Sequence, residues 1–80
     1  MTQEALPRLE LDLRGLNCPL PALRTAKALR RLAPGEAVVV TCTDPMAAID
    51  VPHAAFENGG VVEGSSNEGG VLHFVIRRRP

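Results

Sequence analysis

A chain of 80 residues with nine basic and nine acidic side chains carries no net charge and has room for one small core rather than several domains. Apolar residues make up 45% of it, which excludes a disordered or nucleic-acid-coating chain. Met1 to Leu9 lacks the apolar run of a signal peptide, and no stretch is long enough to span a bilayer, so a cytoplasmic protein with no membrane partner is expected.

Leu9, Leu11 and Leu13 alternate with Glu10, Asp12 and Arg14, the period-two pattern of a strand with one dry face. Gly15 ends it. From Pro19 to about Ala33 the chain is rich in helix formers, and its prolines stand only in the first turn, where a missing N–H costs least. This placement puts Cys18 at the N-cap. At about 100° per residue, Ala22, Ala26, Leu29 and Ala33 share an inward face, and Arg24, Lys27 and Arg31 form a basic outer stripe.

Pro34 and Gly35 stop the helix, and Ala37 to Thr41 is a β-branched run suited to a buried strand. Asp44 followed by Pro45 signals a second helix with Met46, Ile49, His53 and Phe56 inward, bent or split at Pro52 and ending at Asn58, Gly59 and Gly60. Val61 to Glu63 and Val71 to Arg77 read as a hairpin around a polar turn, Ser65 to Gly70. The order βαβαββ, with a right-handed crossover, predicts a two-layer α/β sandwich: a four-stranded mixed sheet with both helices on one face.

Two cysteines, Cys18 and Cys42, are too few for a disulfide-stapled secreted scaffold. His53 and His73 stand at no metal-ligand spacing from either, so no metal is expected. A thiol at a helix N-cap gains from the helix dipole and from backbone N–H donors, both of which favour thiolate. Pro19 and Pro21 leave the Leu20 and Ala22 N–H groups as the local donors, with Leu20 projecting beside the sulfur. Arg14 and Arg24 add longer-range positive charge. Cysteine is a poor capping residue, so its place between Asn17 and a proline-flanked helix start has no evident stabilising purpose. Cys18 is the candidate nucleophile.

Leu11 to Pro21, LDLRGLNCPLP, resembles the signature of the TusA (SirA-like) sulfur-carrier family, whose mark is a Cys-Pro-x-Pro motif opening the first helix. Gly35-Glu36, Asp44-Pro45, Asp50-Val51-Pro52 and Ile76-Arg77-Arg78 are similar to the family's layout, so the resemblance spans almost the whole chain. It implies a single TusA-like domain over residues 1–80, with 1–8 a loose segment and 78–80 a short basic tail. It further implies a persulfide on Cys18, supported by Asn17, Pro19, Leu20, Pro21 and Arg14. The partners would be a sulfur donor, such as a cysteine desulfurase or a rhodanese-like protein, and a downstream acceptor protein. Family members serve tRNA thiolation, cofactor assembly or sulfur metabolism. Gly60 departs from the many family members that carry a histidine there.

The expectation is therefore a sulfurtransferase-type carrier that holds its sulfur covalently and needs no cofactor. Arg24, Lys27, Arg31, Arg77 and Arg78 would dock its partners. Cys42 is expected as a packed core thiol, His53 as a packing residue rather than a base, and His73 on a strand's outer face. Two rivals remain. One is an RNA- or protein-binding module using the basic helix and arginine tail; direct nucleic-acid binding is not expected, because Phe56 and Phe74 are both expected inside. The other is a redox protein pairing Cys18 with Cys42.

Overall fold

The structure is a computed structural model and describes residues 8–80. Of the expected loose segment, residues 1–8, the first seven lie outside the described residues and Arg8 is instead the first residue of β1. The elements run β1 (Arg8–Leu13), α1 (Leu20–Arg31), β2 (Ala37–Cys42), α2 (Ala47–Glu57), β3 (Gly60–Glu68) and β4 (Val71–Arg78). They form one four-stranded sheet in the order β1-β2-β4-β3. β1 and β2 are parallel, and β4 lies antiparallel to both β2 and β3, which is the expected mixed sheet.

Register assembles the core. Leu11, Val40 and Phe74 stand in one cross-strand row, and Leu13, Cys42 and Leu72 in the next. Leu29 of α1 and Val51 and Ala55 of α2 close over this same face. Residues of the opposite parity, such as Glu10 and Asp12, are exposed, so the second sheet face carries no helix. His73 lies on that face opposite Thr41, as expected. The hairpin is tighter than the sequence suggests. β3 runs on to Glu68, and the turn is the pair Gly69-Gly70, both at positive φ, the conformation that a two-residue hairpin turn requires.

Both helices pack on faces other than the predicted ones. α1 buries Pro21, Thr25, Ala28 and Leu29, while Ala22 and Ala26 are only half-buried and Ala33 lies exposed beyond the helix end. The buried Thr25 hydroxyl donates to the Pro21 carbonyl at 2.8 Å, so a polar residue can face the core there. α2 buries Ala47, Val51, Ala54 and Ala55, and leaves Met46, Ile49, His53 and Phe56 outside. The reason is size. Small side chains let the helix lie close against the sheet, whereas the amphipathic reading assumed that the bulky residues would turn inward. Pro52 does not split α2, which continues through it. Among the described residues no helix is long and apolar enough to cross a membrane.

Candidate functional site

Because β1 and β2 are parallel, the loops that follow them emerge at the same edge of the sheet. Two hydrogen bonds tie them together. The Gly15 N–H donates to the Thr43 hydroxyl at 2.9 Å, and the Cys18 N–H donates to Asp44 Oδ2 at 2.5 Å. The other Asp44 oxygen accepts the Met46 N–H at 3.0 Å, so one carboxylate fixes the turn into α2 and the position of Cys18 together.

Cys18 is exposed, but it is not the helix cap. Pro19 holds that position, reached through a cis Cys18–Pro19 peptide, with no side-chain cap. The Leu20 N–H donates to the Asn17 carbonyl at 2.9 Å, which takes one of the donors expected to serve the sulfur. Leu20 is exposed and Pro21 is buried. The sulfur's own partner is Asp50: Cys18 Sγ lies 3.2 Å from Asp50 Oδ2 and donates to it.

This geometry overturns the expected activation by the helix end. Asp50 favours the neutral thiol by accepting its proton in a hydrogen bond, and slight desolvation, the Asp50 charge and the Asp44 charge act in the same direction. The Cys18 thiol is therefore pushed above the ordinary cysteine value. Arg14 does not offset this. Its side chain makes two 2.9 Å contacts to Asp12, and together with the Arg14 N–H they hold the Asp12 carboxyl down to about 2.

Beside the thiol an open groove of about 430 Å³ runs between the helices. Pro19, Ala22, Leu23 and Ala26 form its α1 wall, and Asp50, His53, Ala54 and Glu57 its α2 wall. Contrary to expectation His53 is exposed here, 3.3 Å from Glu57. Among the described residues no three of His, Cys, Asp and Glu are grouped to hold a metal ion.

The predicted docking residues divide. Arg24, Lys27 and Arg31 stand exposed along α1 as expected. Arg77 and Arg78 are engaged within the chain instead. Arg77 donates to Glu63 at 2.8 Å and to the Gly35 carbonyl at 2.7 Å. Arg78 Nη1 donates to the Leu29 carbonyl and, at 3.4 Å, to that of Leu32, closing the C-terminal end of α1. Cys42 is fully buried and both thiols are free, so Cys42 is a core residue. Phe56, expected inside, is 69% exposed with the Arg79 guanidinium 5.7 Å from its ring centre.

The sequence reading missed the partnership of Asp44 and Asp50 with Cys18, taking them only as helix punctuation and family layout. The signal was available in the parallel pairing of β1 and β2, which brings both βα loops to one edge.

A family model described as sulfurtransferase TusA matches residues 9–78. The chain belongs to the TusA family. Among its relatives, the sulfur carrier protein TusA of Allochromatium vinosum is 42% identical over 69 residues, covering 86% of this chain and 91% of that protein. The sulfur carrier protein TusA of Pseudomonas entomophila is 36% identical over 69 residues, 86% of each chain. That of Pseudomonas aeruginosa is 35% identical over 69 residues, covering 86% and 87% respectively. The TusA match includes the Cys18-Pro19-Leu20-Pro21 turn, both loops that hold it and the whole sheet except the first residue of β1.

Proposed function

We propose that this protein is a sulfur carrier that accepts a sulfane sulfur as a persulfide on Cys18 and passes it to an acceptor protein. The observation that carries this reading is an exposed thiol on a turn fixed from two loops, at the mouth of an open groove, in a chain of the TusA family. A carrier needs a presented sulfur and a surface for partners more than an enclosed substrate chamber. The relatives named sulfur carrier proteins support the same reading.

In the loading step the Cys18 sulfur attacks the terminal sulfur of a donor persulfide. A bond forms between the two, the donor's own S–S bond breaks, and the donor leaves as a thiol carrying the Cys18 proton. In the second step an acceptor nucleophile attacks the outer sulfur and Cys18 is the leaving group. The cargo is covalent and neither step calls for a metal or an organic cofactor. Asp50 and Asp44 push the Cys18 thiol above the ordinary cysteine value, so loading includes removal of the Cys18 proton. We place the reaction in the cytoplasm. The donor would be a cysteine desulfurase or a rhodanese-like protein, and the acceptor would lie in tRNA thiolation, cofactor assembly or sulfur metabolism.

Intact-mass spectrometry after incubation with a cysteine desulfurase and cysteine tests the reading. Wild type should gain the mass of one sulfur atom and Cys18→Ser should gain none. Equal gain by both proteins, or gain by neither with several unrelated donors, overturns it.

A further inference from the structure

We propose that Asp50 determines the specificity of sulfur exchange by charge: together with Asp44 it selects partners that present a cation, a lysine or arginine side chain, beside their own sulfur, and disfavours anionic ones. The inference rests on the persulfide reading above and adds to it the chemistry of the partner.

Two carboxylates stand at the sulfur. Asp50 Oδ2 is 3.2 Å from Cys18 Sγ, and Asp44, in the loop between β2 and α2, accepts the Cys18 N–H. Among the described residues no lysine or arginine answers them from the groove. Its α1 wall, Pro19, Ala22, Leu23 and Ala26, is uncharged. On the α2 wall His53 lies 3.3 Å from Glu57 and meets that charge first. In the turn after β1, Arg14 is held by Asp12. Arg24, Lys27 and Arg31 stand exposed on α1 but line no part of the groove. Positive charge at the sulfur has to come from outside the chain.

Both halves of the transfer pass through a sulfur anion at this place. In loading, the Cys18 thiol gives up its proton, the thiolate bonds to the outer sulfur of the donor, and the donor's S–S bond breaks with its electron pair left on the donor. In discharge, an acceptor thiolate bonds to the outer sulfur, the S–S bond to Cys18 breaks, and the pair stays on Cys18 Sγ, which then takes a proton from water. The carboxylates oppose that anion each time. A cation carried in by the partner offsets their effect, whereas an anionic partner adds to it. In the loaded chain Sγ has no proton to donate, so Asp50 loses its hydrogen bond and its charge is left to pair with the cation. Leu20 and Leu23 on α1, and Ile49 next to Asp50 on α2, are exposed apolar side chains. A partner that covers them also takes water from the carboxylates and so strengthens their pull on its cation.

The test follows mixed-disulfide formation at Cys18, by intact mass, with three small disulfides: cystamine, a dication; hydroxyethyl disulfide, uncharged; and dithiodipropionate, a dianion. In each case the Cys18 thiolate bonds to one sulfur and the other half leaves as a thiolate. Each rate is divided by that of N-acetylcysteinamide, an uncharged thiol, with the same probe, so that probe reactivity cancels; ionisation of Cys18 cancels in the ratio of cation to anion. At low ionic strength wild type should prefer cystamine to dithiodipropionate about tenfold more than the reference thiol does, the factor for an attraction exchanged for a repulsion at about 6 Å in water. Asp50→Asn should lose most of that preference, Asp50→Glu, which restores the charge, should keep it, and added salt should compress it. A side chain that only shaped the turn would change all three probes alike. Loading of wild type by a cysteine desulfurase is measured alongside. If wild type loads but shows no more charge preference than the reference thiol, or if Asp50→Asn keeps the full preference, the role of Asp50 is refuted while the carrier reading stands. If wild type never loads with several unrelated donors, the carrier reading is refuted and the partner specificity with it.

Discussion

The two ends of α1 are opposite in charge, and the contrast explains why an exposed thiol beside a helix start is not an activated one. At the C-terminal end, Arg78 lies on the Leu29 and Leu32 carbonyls and puts a cation where the helix dipole favours one. Beside the N-terminal end stand the carboxylates of Asp44 and Asp50, the sign that a helix start favours. The thiol shares that place with acids and so receives their repulsion along with any benefit of the helix end. Position near a helix start is not enough to predict a low thiol pKa. What else has been brought to the same edge decides it.

The largest test of this contrast is Cys18→Ala, which should abolish sulfur uptake by mass while leaving the melting temperature essentially unchanged, because the side chain is exposed. A clear loss of stability would mean that the thiol end is structural as well. The second test falls on the distal end. Gly60 is buried there, and a Cβ at this position would come within 2.8 Å of Ile76 Cγ2 and 3.1 Å of Leu29 Cδ1. Gly60→Ala should destabilise by about 1–3 kcal/mol in denaturant titration, as overpacking does.

Third, Arg78→Met keeps most of the side chain's apolar length but removes the donors to α1, and should cost about 1–2 kcal/mol measured in the same way. A neutral result would show that the distal end does not depend on its cation. The smallest expected effect concerns Asp12. Its folded pKa of about 2 lies below the 3.8 of the free carboxyl, so its pair with Arg14 contributes stability above that free value and loses it as pH falls through about 2. Arg14→Ala should return the Asp12 titration, followed by NMR, toward the free value.

Strand β1 was legible because leucines at alternate positions leave one period to choose, and Gly59 marked the end of α2. The exposed Cys18 was legible from the prolines around it. The helix faces were not. In α2 the alanines at 47, 54 and 55 lose to Met46, Ile49 and Phe56 in any count of hydrophobicity, yet close packing on a sheet selects small side chains. The chemistry at Cys18 was illegible for a different reason. Asp50 lies 32 positions along the chain, and the crossover of parallel strands, rather than any local spacing, brings it to the sulfur.

The most direct test locates the sulfur. After loading from a cysteine desulfurase, the protein is alkylated, digested and read peptide by peptide. The account predicts the additional sulfur on the peptide containing Cys18 and none on the peptide containing the buried Cys42. Sulfur on Cys42, or spread equally over both, would contradict it.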